Sequence, residues 1–395
     1  MTMRSRRTAL AVAAATTVLG VLAGCGEASP TAPAGADAPA TTGQWQAAGT
    51  GPLSARTDPF LGWTGEEVLV IGGNTGWVCP PTADCVKPEP GQFASDGAAW
   101  NPTTGEWRPI ADLPVPIYTG WSFGLTDSAV LDGQVVVHDR SQEAWLRYDV
   151  AADAWSELDP PGPGFTDLSQ DDGTRIWGLR GDEVVSWEPV SGRVRVERSY
   201  DVSPRLDDPR LVLTEVGPVV TGVRYDDVAP DEPTLELADL PDGDGWRRVT
   251  SGQIGWFYAS VAGQVVGPEA GGADGGEVNG WDRWYPSAGM LDPTTGEWAP
   301  LDVPQWPLPS ADDWHVTAYG DDVLVTGGHY RDLAHDGEWH RLGRPDSTLD
   351  ASLSSVWAGD RLFVWGGIDD EDGYDASAVP DASEAWTWTP PADAG

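Results

Sequence analysis

The chain has 395 residues, of which 62 are acidic and 23 are basic, so its formal net charge is −39 at pH 7. A surface of this sign repels phosphate backbones and anionic membranes, which excludes nucleic acid as a partner. Hydrophobic residues make up 40% of the chain, and 22 positions are Trp, so the sequence can build a sizeable core.

The N-terminus is predicted to be a leader that is not part of the folded domain. Arg4, Arg6 and Arg7 form a basic segment, and the stretch 9–22 is apolar. About 14 apolar residues are too few to span a bilayer, which argues against a transmembrane anchor. Leu22-Ala-Gly-Cys25 resembles the lipobox of bacterial lipoproteins, which implies cleavage before a lipid-modified Cys25. We expect an exported protein that is anchored to the outer face of the cell membrane.

The predicted signal peptide is therefore residues 1–24, and its removal takes away three arginines and no acid, which lowers the net charge to −42. Residues 25–42 contain Ala, Pro, Thr, Gly and Ser with almost no large apolar side chain. Such a composition cannot form a core, so this segment is predicted to be a flexible tether.

The rest of the chain repeats one pattern seven times. Each unit has an apolar strand, a second strand often ending in Gly-Gly, then an aromatic residue, six residues and Trp. The last part is plainest at 100–107 and 148–155, and Leu291 takes the aromatic position at 291–298. Repeats of roughly 40–50 residues with this β pattern predict a propeller. The predicted fold is an all-β, seven-bladed propeller over residues 43–390, followed by a short tail, 391–395.

Each unit contains four short strands, a to d. In the sixth unit they are predicted at 315–319, 322–327, 331–335 and 338–342, as β-branched and aromatic runs bounded by Gly and Asp. A Trp in strand d would fill the wedge between blades. The predicted strand-d positions are Trp107, Trp155, Val194, Trp246, Trp298 and Trp339.

The two ends of the repeat region have complementary defects. The last unit has strands at 354–358, 361–365 and 384–389 and lacks a fourth. The segment around Trp45 resembles an isolated strand d. We predict that the Trp45 strand completes the last blade, because ring closure removes an unpaired edge.

The Gly-Gly pairs at 72–73, 327–328 and 366–367, together with the aromatic-x6-Trp spacing, resemble the kelch repeat. The region 43–390 is thus similar to the kelch and galactose-oxidase-type β-propellers. The resemblance implies the fold more than the function, because such propellers include non-catalytic protein- or glycan-binding modules as well as copper oxidases.

Two cysteines remain after Cys25, namely Cys79 and Cys85, in one Pro- and Thr-rich loop. A local disulfide is the default for an exported protein. Two free thiols or half of a metal site are the alternatives.

Connection lengths indicate where a site could lie. The b–c connections are long at 74–97, 268–287 and 368–383, and the d–a connections are long at 112–122, 201–209 and 302–314. Both kinds leave a four-stranded meander on one face, and binding residues concentrate on such loops. These loops carry the candidate ligand-binding aromatics Trp77, Tyr118, Trp121, Trp281, Trp284, Tyr285, Trp306, Trp314 and Tyr374.

Flat aromatic rings stack on sugars and pack against proteins. The sequence therefore predicts a non-enzymatic, monomeric recognition module, without cofactor or metal, that binds a cell-envelope glycan or a partner protein. The acidic segment 369–375 could hold Ca²⁺, although its spacing is not that of an EF-hand. The enzymatic alternative is a copper-dependent, galactose-oxidase-like oxidase, for which His138, His315 and His329 are candidate ligands at the long-loop end.

Overall fold

The computed structural model describes most of the repeat region with gaps in the connections. The described residues are 43–57, 59–75, 93–116, 126–139, 144–159, 161–163, 165–171, 173–224, 236–250, 259–261, 263–267, 289–300, 315–319, 322–327, 330–335, 338–342, 349–351, 354–366, 368–369 and 384–390. Within these ranges, no helix has the length and apolar character needed to cross a membrane.

The described residues form thirty strands, of which twenty-eight build seven four-stranded sheets. Strand β1 (Gln44–Ala47) comes first. Sheet 1 has β2 (Phe60–Trp63), β3 (Val68–Ile71), β4 (Gly97–Trp100) and β5 (Trp107–Ile110). Sheet 2 has β6 (Thr126–Leu131), β7 (Gln134–Asp139), β8 (Ala144–Asp149) and β9 (Ala154–Glu157). Sheet 3 has β10 (Phe165–Asp171), β11 (Ile176–Arg180), β12 (Glu183–Glu188) and β13 (Arg193–Ser199).

The second half of the chain continues the pattern. Sheet 4 has β14 (Asp207–Thr214), β15 (Gly217–Val223), β16 (Glu236–Asp242) and β17 (Gly245–Thr250). Sheet 5 has β18 (Ala259–Val261), β19 (Gln264–Gly267), β20 (Gly289–Leu291) and β21 (Trp298–Pro300). Sheet 6 has β22 (His315–Tyr319), β23 (Asp322–Gly327), β24 (Tyr330–His335) and β25 (Glu338–Arg341). Strands β26 (Leu349–Ala351) and β29 (Ile368–Asp369) form a separate pair. Sheet 7 has β27 (Ser354–Ala358), β28 (Arg361–Trp365), β30 (Ala385–Thr389) and β1.

Every sheet is an antiparallel meander, and the first strands of successive sheets contact one another in chain order. The contacts run from β2 to β6, β10, β14, β18, β22 and β27, and β27 contacts β2 again. The predicted all-β propeller is therefore confirmed. The strand bounds predicted for the sixth unit agree with the structure to within one residue at each end.

The first strand of the chain completes the last sheet. In the antiparallel pairing of β1 with β30, Trp45 lies opposite Trp388 and Gln44 lies opposite Thr389. The backbone amide of Ala48 extends this ladder by donating to the carbonyl oxygen of Ala385 at 2.7 Å. The prediction that the Trp45 strand closes the last unit is confirmed.

The hydrophobic core consists of wedges between neighbouring sheets. Between sheets 7 and 1, Trp365 contacts Trp107 edge to face, with ring centroids 5.7 Å apart. Between sheets 1 and 2, Leu69 and Ile71 pack against Val135 and Val137, and all four are buried. The same arrangement recurs between sheets 2 and 3, 3 and 4, and 4 and 5.

The strand-d Trp residues explain the repeat. Trp107, Trp155 and Trp246 each donate the indole Nε1–H to a backbone carbonyl at the end of the preceding sheet, at Ala48, Ala111 and Ser199, over 3.0, 2.8 and 2.7 Å. Each ring thus fills a wedge and ties two sheets together, as predicted. Val194 occupies the corresponding place in β13, opposite Trp187.

Replacement of Trp155 by Phe should remove this tie and keep most of the packing. We expect a loss of about 1 kcal/mol of unfolding free energy, because one partly buried hydrogen bond is lost. Trp386→Phe is the matched control, since within the described residues the hydrogen bond of that indole is a long, exposed 3.4 Å contact with Glu384. Chemical denaturation of both variants measures the difference, and equal effects would contradict the role given to the indole N–H.

Side-chain oxygens stabilise the turns between strands c and d by accepting hydrogen bonds from the turn amides. Oδ1 of Asn101 accepts from the amides of Thr103 and Thr104 at 2.8 and 3.1 Å, and Asp292 repeats this with Thr294 and Thr295. Gly105 has a φ of 72°, which explains why glycine stands there.

Candidate functional site

The cysteines and the candidate binding aromatics that the sequence indicates lie outside the described residues. This holds for Cys25, for Cys79 and Cys85, and for the nine loop aromatics Trp77, Tyr118, Trp121, Trp281, Trp284, Tyr285, Trp306, Trp314 and Tyr374. The acidic segment is described only at Asp369, in β29. The structure does describe the bases of the loops that carry these residues.

Because each sheet is a meander, its connections leave at two opposite edges, which define two faces. The long-loop face is the edge from which the b–c connections leave, at 72–96, 140–143, 224–235, 268–288 and 366–384, together with the d–a connections. The short-loop face is the opposite edge, with connections such as 64–67, 101–106 and 359–360. The three long b–c connections that the sequence indicated are confirmed in position. The long connection of sheet 4, 224–235, is not among those that the sequence indicated.

A strand pair joins two connections on the long-loop face. β26 belongs to the d–a connection before sheet 7, and β29 belongs to the b–c connection within sheet 7. They pair antiparallel, with Leu349 opposite Asp369 and Ala351 opposite Ile368. The two kinds of connection therefore meet on this face, as the meander predicts.

The long connection of sheet 1 is closed at its base by backbone pairing. Thr57 and Asn74 exchange two hydrogen bonds of 2.9 and 2.8 Å, and Asn74 also forms a bridge with Phe93. The amide of Ala94 donates to the carbonyl oxygen of Gly73 at 2.9 Å. The two ends of the segment 75–92 are therefore held side by side against the chain that enters sheet 1.

A buried arginine reinforces this base. The side chain of Arg56 is fully buried and forms a bidentate ion pair with Asp96, at 2.7 and 3.2 Å. Arg56 also donates to the carbonyl oxygen of Gly72 at 3.1 Å, and to the carbonyl and hydroxyl oxygens of Ser54, both at 2.9 Å. The guanidinium thus connects both ends of the loop 72–96 to the connection after β1. We call this set the Arg56 clamp: Ser54, Arg56, Gly72 and Asp96.

The Gly-Gly pairs fit against the same segment. A Cβ on Gly73, whose φ is +103°, would lie 2.9 Å from the carbonyl oxygen of Thr57. A Cβ on Gly366 would lie 3.0 Å from the carbonyl oxygen of Arg56. A neighbouring backbone therefore approaches closely at both positions, which explains why glycine stands there.

A second polar network supports the connection between sheets 3 and 4. Asp239 is fully buried in β16 and accepts two hydrogen bonds from Arg248, at 2.7 and 2.8 Å, and one from the Tyr200 hydroxyl at 2.7 Å. Arg248 also donates to the carbonyl oxygen of Pro204 at 2.7 Å. The network therefore anchors the connection 200–206 to the outer half of sheet 4. Burial, with the hydrogen bond to Asp239, raises the pKa of Tyr200 above its usual range.

Replacement of Tyr200 by Phe should destabilise the protein by about 1 kcal/mol at neutral pH, because a buried hydrogen bond is lost. Because the pKa of Tyr200 is raised in the folded state, its protonated hydroxyl stabilises the fold fully below the unfolded-state pKa of about 10. This contribution is lost as the pH rises from there toward the folded-state pKa. The difference between wild type and variant should therefore shrink above about pH 10. Urea titrations at pH 8 and above pH 10 measure it, and a constant difference would contradict the assignment.

His138, a candidate copper ligand, has a packing role. Its ring stacks on Trp145 with centroids 4.0 Å apart and an interplanar angle of 11°. Trp145 in turn meets Phe165 and Trp187 of sheet 3, so His138 lies at the wedge between sheets 2 and 3. The side chain of His315 is not described, and His329 lies outside the described residues. In the described part of the chain, no three His, Cys, Asp or Glu side chains form a group that could hold a metal ion.

No family model matches the chain, and no curated protein matches it. A solved structure titled "Structure of YjhT" is similar at a TM-score of 0.41 and 12% identity, over 84% of this chain and 95% of that one. A likeness at this level carries no argument about function.

Proposed function

We propose that this chain is a kelch-type propeller whose seven four-stranded sheets are the blades of one ring, and that it recognises a glycan on its long-loop face without catalysing a reaction. The observation that carries the proposal is the construction of that face. The Arg56 clamp and the Asp239 network hold the bases of two connections with ion pairs in which one partner is fully buried. Rigid bases with variable, aromatic-rich loops are typical of binding surfaces.

The loop sequences favour a sugar as the ligand. The connection 268–288 combines Trp281, Trp284 and Tyr285 with Asn279 and Asp282. Aromatic faces stack on the C–H face of a sugar ring, and amide and carboxylate groups bind hydroxyls. A chain with a net charge of −39 repels anionic polymers, so the glycan is neutral or cationic.

A glycan array tests this proposal, with a pull-down from envelope extracts as the second arm. The expected result is retention of a neutral or amino-sugar glycan by the wild type, and its loss in a Trp281→Ala, Trp284→Ala variant. Val216→Ala, on an exposed turn of the short-loop face, is the control that should bind normally. Capture of a protein without any glycan signal would show that the ligand is a partner protein and not a glycan. Stoichiometric copper with peroxide production from sugars would overturn the proposal in favour of the oxidase.

We propose further that Cys25 is lipidated and holds the domain on the outer surface of the membrane. Two or more acyl chains anchor a protein stably, which a single chain cannot do. Cys25→Ala should release the protein or leave its precursor uncleaved. Lipid-modified material from that variant would contradict the assignment.

We propose a disulfide between Cys79 and Cys85, within the segment 75–92 whose ends the Arg56 clamp holds. A loop this small contributes at most about 2–3 kcal/mol in the chain-entropy model, and the effect is local. Reduction should leave the melting temperature of the propeller nearly unchanged while weakening ligand binding near Trp77. Two thiols that react freely in the native, non-reduced protein would rule out the bond.

A further inference from the structure

The direction of β1 determines from which face the N-terminal segment leaves the propeller. Gln44, the first residue of β1, lies opposite Thr389, the last residue of β30. Next to them, Trp388 lies opposite Leu362, beside the two-residue turn 359–360. That turn belongs to the short-loop face. Gln44 therefore lies at the short-loop end of sheet 7.

The other end of β1 lies at the long-loop face. Ala47 lies opposite Trp386, and the amide of Ala48 bonds to Ala385, the first residue of β30 after the long connection 366–384. The chain then runs directly into the Arg56 clamp. β1 thus spans sheet 7 from the short-loop edge to the long-loop edge, and Gly43 stands at the edge opposite the proposed glycan site.

We infer that the recognition face points away from the membrane and takes a glycan polymer that lies beyond the membrane surface, not a lipid-linked sugar within it. This inference rests on the proposed lipid anchor at Cys25 and on the proposed glycan site. What is new is the orientation of the glycan site relative to the lipid anchor. The edge nearest to the membrane is the short-loop edge of sheet 7, with the exposed turn at Gly359 and Asp360.

The length of the tether supports this orientation. A flexible segment of about 18 residues has a root-mean-square length of roughly 23 Å. A four- to seven-residue strand is about 13–23 Å long, and the loops add to the height of the domain. To bring the long-loop face to the bilayer, the tether would have to extend along the outside of sheet 7, which reduces its conformational entropy.

The experiment compares two dye positions in the mature, lipidated chain reconstituted into phosphatidylcholine vesicles that contain a headgroup quencher. An azido amino acid is placed at Asp360, on the short-loop face of sheet 7, or at Asp201, in the connection on the long-loop face between sheets 3 and 4. Both positions are exposed. We expect quenching at position 360 to exceed quenching at position 201 by at least about twofold, since at least one strand length separates them along the ring axis.

A variant with a tether three times as long is the control, and the difference between the two positions should decrease in it. Equal quenching with the natural tether, or stronger quenching at position 201, would overturn the inference. Protein that does not associate with vesicles would overturn it together with the lipid anchor. The measurement uses no glycan, so its outcome is independent of the glycan array, and either proposal can fail while the other stands.

Discussion

Deletion of residues 43–48 is expected to destabilise the whole propeller by at least about 5 kcal/mol. The deletion removes the four register pairs between β1 and β30 and uncovers Trp388, which is fully buried. It also removes the carbonyl of Ala48, to which the Trp107 indole donates. Lost ladder bonds of about 1 kcal/mol each and the exposure of a Trp ring account for this magnitude.

Thermal unfolding measures this effect, and the melting temperature should fall by roughly 10 °C, since 1 kcal/mol shifts it by about 2 °C in a domain of this size. Deletion of six residues from the preceding segment, 32–37, is the length-matched control and should leave it unchanged. A synthetic peptide of residues 43–49 added in trans should restore part of the loss, because it can pair with β30. An unchanged melting temperature after deletion of 43–48 would show that β1 does not close the ring.

Replacement of Arg56 by Ala is the second change with a large expected effect. The variant removes five hydrogen bonds and leaves the buried carbonyl of Gly72 without its guanidinium donor. It also removes the side-chain link between the connection after β1 and the loop 72–96 of sheet 1. Loss of one partner of a buried ion pair costs about 3–5 kcal/mol, and we expect about 3, because the Asp96 side chain is 47% exposed.

Chemical denaturation of Arg56→Ala should be compared with Arg361→Ala. Arg361 is a partly buried arginine at the start of β28 whose ion pair is a 3.4 Å contact with its exposed neighbour Asp360, so its replacement should cost less than about 0.5 kcal/mol. Asp96→Asn should be intermediate, because the amide oxygen can still accept one bond from the guanidinium. Equal stabilities of the two arginine variants would contradict the clamp.

The architecture could be predicted from the sequence because it is encoded locally. Strand bounds in sheet 6 follow from β-branched runs between turn residues, and Trp107, Trp155 and Trp246 recur at one place in each repeat. The pairing of β1 with β30 was also predictable, since an isolated strand at one end matches a missing strand at the other.

The polar networks could not be predicted in this way. Arg56 and Asp96 are 40 residues apart, and Tyr200 and Asp239 are 39 apart, so neither pair has a local pattern. Asp239 lies in a strand whose sequence does not mark it as fully buried. The pair of β26 with β29 continues the β27–β28 hairpin in register, with Ala351 opposite Ile368 and Ser354 opposite Trp365, but the irregular sequence of both connections does not mark them as strands.

Glycan recognition by the loop aromatics is tested most directly by a calorimetric titration of the purified protein with the glycan that the array retains best. We expect saturable binding at one site, weakened at least tenfold, or about 1.4 kcal/mol, in the Trp281→Ala, Trp284→Ala variant and unchanged in Val216→Ala. Binding that is equally strong in both variants would place the site away from the connection 268–288 and would contradict recognition by the aromatic residues of that loop.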